Sequence, residues 1–267
     1  MKIAVVGCAG RMGRMLVHDI LTTPGCVLAG GTDTESSPFI GQDPAVLAGL
    51  EPSGLAVTAD ARAVFEAADA VIDFTSPAAT VAHADLAAAT GTALIVGTTG
   101  ISKEQMARID AAAARIPLVI APNFSVGVNL LFALTELVAS KLGIDYDIEI
   151  VEMHHRHKVD APSGTALGIG RAAAKGRGVV LDDAAVMSRV GHTGAREAGT
   201  IGFATLRGGD VVGDHTAIFA ADGERLELTH KASSRGVFSK GAVRAALWTK
   251  DRPAGLYSMA DVLGFGG

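Results

Sequence analysis

"VVGCAGRMGRML", residues 5–16, is the stretch whose reading decides the fold. A β-branched apolar run breaks into Gly7, Gly10 and Gly13, and a helical pattern begins at once. The spacing is G-x-x-G-x-x-G rather than the commoner G-x-G-x-x-G. The physical requirement is nonetheless met: glycines allow a tight turn and a close backbone approach to a pyrophosphate, and the helix start adds partial positive charge. Arg11 adds a candidate phosphate contact. An ordinary strand–helix turn uses the same residue type, so the surroundings have to decide. Asp33 ends the next strand-like run, "VLAGGTD" (27–33), where a carboxylate accepts hydrogen bonds from adenosine ribose hydroxyls. Thr34 follows where an arginine would grip a 2′-phosphate, and Asp33 would repel that phosphate. The pattern therefore predicts a dinucleotide site that favours NADH over NADPH.

Working outward, the first half alternates between two periods. Strand-like runs lie at 2–7, 27–33, 70–76, 92–100 and 117–123, with helical patterns at about 11–22, 61–68, 77–90 and 102–116. Ser102 with Gln105 reads as a capping box. Strands apolar on both faces, alternating with helices, predict a Rossmann-like doubly wound parallel sheet, an α/β class. The turns "GTTG" (97–100) and "APNFS" (121–125) then fall at carboxyl ends of parallel strands, where ligands of open sheets bind.

After about residue 125 the rhythm changes. A long helical stretch (126–143), a strand (146–155), a helix (164–175) and strands at 200–208, 210–221 and 224–232 predict a second, α+β domain on a mixed or antiparallel sheet. "RGGD" and "ADGE" read as hairpin turns between the last three strands. A closing helix (238–250) is expected to return to the first domain. The expected division is 1–125, completed by 235–267, for the dinucleotide and 126–234 for the substrate and for oligomerisation.

Bulk composition limits the function classes. The chain has 267 residues, 49% hydrophobic and 19% charged, with a net charge of −5. Such a chain folds around a large core and lacks the basic excess of a general nucleic-acid binder. Cys8 and Cys26 are the only cysteines, which excludes a disulfide framework or a cysteine-based zinc motif. No apolar run has bilayer-spanning length, and the immediate strand-like start leaves no secretory signal, so a cytoplasmic protein with no membrane partner is expected.

The densest polar stretch is "EMHHRHKVDAPSGTA", residues 152–166. A metal reading of His154, His155 and His157 is disfavoured, because neighbouring side chains diverge and Lys158 would repel a cation. An acid–base reading needs less coincidence: a histidine and a lysine ammonium exchange protons near neutral pH. Ser163 reads as the N-cap of the next helix, with backbone N–H groups at Gly164 and Thr165 that suit a carboxylate. His192, His215 and His230 read as ordinary strand histidines. A reductase, a metal-dependent hydrolase and a nucleotide sensor all remain open at this level.

Eight segments, "GCAGRMG", "DFT", "VGTTG", "NFSVGVN", "E-x-HHRHKVDAPSGTA", "GTIGFAT", "GDHTAIFA" and "ERLELTHKASSR", closely resemble the dihydrodipicolinate reductase family of bacterial lysine biosynthesis, in family order over nearly the whole chain. The resemblance implies reduction of 4-hydroxy-tetrahydrodipicolinate to tetrahydrodipicolinate with NADH or NADPH and no metal. It implies His154 as acid–base residue, Lys158 as proton donor, and His155, Ser163, Gly164 and Thr165 around a small dicarboxylate. It also implies nucleotide contacts from Gly7, Cys8, Ala9, Gly10, Arg11 and Met12, from Asp33, from Gly97, Thr98 and Thr99, and from Ala121, Pro122, Asn123 and Phe124. The resemblance further implies a homotetramer built through the substrate domain's sheet. His157 receives no role.

Overall fold

The computed structural model describes residues 1–265. In chain order, its first part comprises β1 (Lys2–Val6), α1 (Arg11–Thr22), β2 (Val27–Thr32), α2 (Pro44–Leu47), α3 (Ala61–Ala67), β3 (Ala70–Asp73), α4 (Pro77–Thr90), β4 (Ala93–Val96), α5 (Lys103–Ala113) and β5 (Pro117–Ile120). Next come α6 (Val126–Lys141), β6 (Asp147–His154), α7 (Gly164–Arg177), α8 (Leu181–Ala184), β7 (Ala185–Val186), β8 (Ile201–Arg207), β9 (Gly213–Ala221) and β10 (Glu224–Ala232). The last elements are α9 (Gly236–Trp248), β11 (Gly255–Tyr257) and α10 (Met259–Leu263). Two compact units result: Met1–Ser125 with the chain from Gly236 onward, and Val126–Arg235.

The first unit is a parallel sheet in the order β11-β5-β4-β3-β1-β2. Its strands are apolar on both faces because both faces are covered. Ile3, Val5, Ile72, Ile95 and Val119 pack toward α1 and α9, whereas Ala4, Val6, Val71, Leu94 and Leu118 pack toward α3, α4 and α5. The chain passes from β1 to β2 on one side and then to β3 on the other. The order therefore reverses between β1 and β3, the crevice where open α/β sheets bind ligands. The capping box of Ser102 and Gln105 opens α5 as its sequence indicates. Strand-like runs overshoot at their carboxyl ends: β4 stops at Val96 and β5 at Ile120, and the following residues are loop. Position 97 has to be glycine, since a Cβ there would lie 2.3 Å from the Phe74 ring.

The second unit has a five-stranded sheet in the order β10-β9-β6-β8-β7. One face buries Ile148, Ile150, Ile201, Phe203, Ala217 and Phe219 against α6 and α7. The "ADGE" hairpin is present: β9 and β10 pair antiparallel with Ala221 opposite Glu224, and Gly223 takes φ +87°.

The "RGGD" hairpin is a correction. β8 and β9 do not pair, because β6 lies between them, parallel to β8 and antiparallel to β9. The 208–211 segment instead crosses the end of β6. Gly208 N–H donates to the His154 carbonyl (2.9 Å) and His155 N–H to the Val211 carbonyl (2.7 Å). Those bonds satisfy a backbone that a tight turn would otherwise have had to satisfy itself.

Candidate active site

In the first unit the glycine turn leads from β1 into α1. Gly7 has φ +67°, a left-handed conformation, and a Cβ at Gly13 would lie 2.2 Å from the Gly7 carbonyl oxygen. The N-cap of α1 is Gly10, which offers no side chain to the helix, so the first N–H groups of α1 are left for an anion. Cys8 and Ala9 bury their side chains, and burial pushes the Cys8 thiol up to about 12. These two residues therefore present backbone only, while Arg11 and Met12 reach the surface more fully. Asp33 follows β2. Its carboxylate accepts from Thr34 N–H (2.8 Å) and the Ser37 hydroxyl (3.1 Å).

The loops after β3 and β4 meet at a carboxylate that is not among the sequence candidates. Asp73 is fully buried and accepts from Thr75 N–H (2.9 Å) and the Thr75 hydroxyl (2.6 Å), and it pairs with His83 Nδ1 (2.8 Å). Burial would raise its pKa, but the hydrogen bond and charge of His83 and the bonds from Thr75 hold it below the usual carboxylate range. Thr98 accepts from the Thr80 hydroxyl, so its side chain is engaged inside the unit. Phe124 is buried, its ring tilted against Phe74 at 5.5 Å. Ala121 is buried; Pro122 and Thr99 are exposed; the Asn123 side chain accepts from Ser125 N–H (2.8 Å). What Gly97–Thr99 and Ala121–Phe124 offer a ligand is thus largely backbone on a braced frame.

In the second unit β6 alternates strictly, with Ile148, Ile150, Glu152 and His154 on the buried face. Glu152 is 1% exposed and acts as a hub. One oxygen takes His154 Nδ1 (2.6 Å) and Arg207 Nη1 (2.9 Å), and the other takes Arg207 Nη2 (3.0 Å) and Ser163 N–H (3.1 Å). Burial would raise its pKa; the bonds from Arg207 and His154 reverse that and hold it ionised. The His154 pKa is lowered, first by burial and also by the charges of Lys158 and Arg207, against the opposing pull of Glu152. Lys158 is half-buried and pairs with Asp160 at 2.9 Å.

Ser163 caps α7, its hydroxyl accepting from Ala166 N–H (3.1 Å) and meeting His215 Nε2 (3.1 Å). With its N–H also taken by Glu152, Ser163 is committed to protein partners. Gly164 next to it faces open space, with no atom within 4 Å of a Cβ built there. His155 keeps a buried Nδ1 without a hydrogen-bond partner among the described residues, which marks it as a candidate ligand contact. His157 is exposed, 6.2 Å from the His155 ring. No group of three or more His, Cys, Asp and Glu side chains among the described residues is placed to hold a metal ion.

Glu152, Arg207, His215, Asp73 and His83 were not among the sequence candidates. For Glu152 and His215 a signal existed: each is a polar residue on the inward register of a half-buried strand, where burial needs a partner. His215 lies on the buried face of β9 with Ala217 and Phe219, its ring 5.0 Å from that of His154. His192, read as a strand residue, is in a loop.

Burial, with the charge of His154 beside it, pushes the His215 imidazole down to about 3. The unfolded chain binds that proton below about 6.5, whereas the folded one resists it until about 3. His215 therefore stabilises the fold above pH 6.5, and its contribution is lost as the pH falls through that window. Urea melts between pH 4 and 7 should show a shallower acid decline for His215→Gln than for the parent. Parallel curves would contradict this.

Comparison with known proteins covers both units. A family model described as dihydrodipicolinate reductase, N-terminus, matches residues 1–124, and one described as dihydrodipicolinate reductase, C-terminus, matches residues 127–263. Curated relatives named 4-hydroxy-tetrahydrodipicolinate reductase include that of Magnetococcus marinus, 56% identical over 99% of this chain and 98% of its own length. Another, from Methylocella silvestris, is 54% identical over 100% of this chain and 98% of its own length. Among solved structures, a dipicolinate-bound dihydrodipicolinate reductase from Paenisporosarcina sp. TG-14 shares the fold, with TM-score 0.78 and 22% identity over 98% of both chains. An amine dehydrogenase from Mycobacterium smegmatis shares it more distantly, with TM-score 0.61 and 15% identity over 97% of this chain and 95% of that one.

Fold and matches together define an oxidoreductase of the nicotinamide-dinucleotide class, with a Rossmann-type first unit. Within that class the chain belongs to the dihydrodipicolinate reductase family.

Proposed function

We propose that this protein reduces 4-hydroxy-tetrahydrodipicolinate to tetrahydrodipicolinate in the diaminopimelate route to lysine, with His154 and Lys158 handling the proton. The observation that carries the reading is the buried Glu152–His154 pair joined through Ser163 to the start of α7, with the Lys158 ammonium on the same segment. In this reading the helix start at Gly164 and Thr165 would seat a carboxylate, and His154 and Lys158 would exchange the proton.

The first unit's turn fits a dinucleotide. Its glycines keep side chains out of the crevice, α1 begins without a side-chain cap, and Asp33 follows β2. Gly7–Met12 would hold the pyrophosphate, Asp33 the ribose, and Gly97–Thr99 with Ala121–Phe124 the nicotinamide half. When bound, a reduced nicotinamide supplies a hydride. The chain's own part is to seat the two carboxylates, with His155 turning its buried Nδ1 side to one of them, and to deliver a proton from the Lys158 Nζ. His154, kept neutral by burial, serves as the acceptor or relay. Protonation in step with hydride arrival keeps negative charge from building on the substrate carbon.

The same reading carries a homotetramer in the cytoplasm. Supporting it is Leu206, 49% exposed on the face of the second unit's sheet turned away from α6 and α7. No helix among the described residues is long and apolar enough to cross a membrane.

The test generates the unstable substrate in situ from pyruvate and aspartate semialdehyde with its synthase, and follows nicotinamide oxidation by absorbance. Turnover is expected with either nucleotide. The kcat/KM should be about tenfold higher with NADH, the effect of roughly 1.4 kcal/mol of repulsion between Asp33 and a 2′-phosphate. A preference for NADPH would refute the role given to Asp33 and Thr34, and absence of substrate-dependent oxidation would refute the function.

A further inference from the structure

The carboxylate of Glu152 does more than fill a hole beside the histidine. Four N–H donors converge on it: Nδ1 of His154, Nη1 and Nη2 of Arg207, and the backbone of Ser163. An ionised carboxylate has no proton to give, so every group bonded to it must donate, and the proton of the neutral His154 ring has to sit on Nδ1. Arg207 reaches Glu152 because β6 and β8 pair in register, with His154 opposite Arg207 and Glu152 opposite Thr205. Its guanidinium also donates to the Asp160 carbonyl (2.6 Å), which fixes the fork from the far side. Both oxygens of Glu152 are saturated. The carboxylate can neither rotate away nor accept a different proton without breaking a bond to Arg207.

The other ring nitrogen has been given room. A Cβ at Gly213 would lie 3.0 Å from His154 Nε2, so glycine at the start of β9 keeps that nitrogen uncrowded. We propose that Glu152, clamped by Arg207, is a positioning residue that fixes His154 as the Nδ1–H tautomer. In the same role it ties the ring, through the Ser163 amide, to the helix start that seats the substrate. Nε2 is then the nitrogen that exchanges protons. A proton taken there makes an imidazolium whose charge Glu152 offsets, and the proton leaves again from the same nitrogen. The inference rests on the reading of His154 as the acid–base residue. Four charged or titratable groups face that ring, namely Glu152 on its own strand, Lys158 after it, Arg207 on β8 and His215 on β9.

Glu152→Gln tests it, because the amide keeps the shape but brings an NH₂ against a set of donors. The kcat should fall roughly 10²-fold, the low end of what a positioned acid–base group contributes, while KM for NADH stays unchanged. The limb of the pH–rate profile that reports His154 should move to lower pH by about one unit, since the anion favouring the imidazolium is gone. Glu152→Asp, which restores the charge, should return that limb most of the way. Nitrogen-15 NMR of the unaltered protein provides a readout that does not depend on any variant folding: His154 should carry its proton on Nδ1. A proton on Nε2 in that spectrum, or an unshifted pH profile in a folded Glu152→Gln, would overturn the proposal. Failure of the underlying reading looks different: the parent protein would not turn over, or His154→Ala would match it.

Discussion

Lys158→Ala is expected to lower kcat by about 10²- to 10⁴-fold, the range a positioned proton donor supplies, with NADH binding left within about twofold. The structure makes this a clean experiment. The partner of Lys158 is Asp160, and the two side chains are 22% and 56% exposed, so their ion pair is worth under about 1 kcal/mol. Removing the ammonium should leave the fold standing. It also removes one of the charges that hold down the pKa of His154, so the residual activity should report a His154 limb moved to higher pH. This is the opposite direction from the one expected of Glu152→Gln, and the pair of shifts distinguishes a proton donor from a general disturbance of the segment. Steady-state rates across pH, beside thermal melts, are the measurement. Activity of Lys158→Ala within tenfold of the parent would remove Lys158 from the mechanism.

The second large effect belongs to the first unit. Gly13→Ala places a methyl 2.2 Å from the Gly7 carbonyl oxygen and 2.6 Å from the Cys8 Cα. Both are backbone atoms on the turn itself, and neither can swing aside as a long side chain could. The helix must lift off β1 or the turn must open. A cost of about 3 kcal/mol is expected, the upper end for overpacking, together with loss of measurable NADH binding. Gly164→Ala provides the contrast, because a Cβ there meets nothing. Its helix start should be neutral in stability, so any effect it has on substrate KM comes from the seat alone. Denaturant midpoints and nucleotide fluorescence titration measure both. A Gly13→Ala protein that melts with the parent and binds NADH normally would show that the turn is freer than its contacts imply.

Much of the first unit could be read from local pattern, because its determinants are local. The glycine turn, the acid at 33 and the two-faced apolar strands each follow from a few adjacent residues. The N-cap at Ser163 was legible for the same reason, since a helix start is decided within four positions. The reading failed where distant pairing decides. "RGGD" is good turn chemistry, yet the strands it joins are separated by β6, whose ladders with β8 and β9 outweigh a two-residue preference. Arg207 sits 55 positions from Glu152, and nothing near 207 announces the carboxylate it will clamp. β11 has three residues, too few for any period to show. Glu152 was the missed opportunity: a carboxylate in step with Ile148, Ile150 and His154 on one strand face already demands a cation.

The discontinuity of the first unit bears on how the protein is made. A ribosome emits Met1–Ser125 first, but in that state the sheet lacks its edge strand β11. One of its faces also lacks Ala242, Val243, Ala245, Ala246, Met259 and Val262. All of that apolar surface waits, wet, while 126–235 is translated, whereas the second unit is continuous and has every strand it needs once Ala232 is out. At roughly 5–20 residues per second the wait lasts on the order of ten seconds. The part of the chain that is synthesised first is therefore completed second.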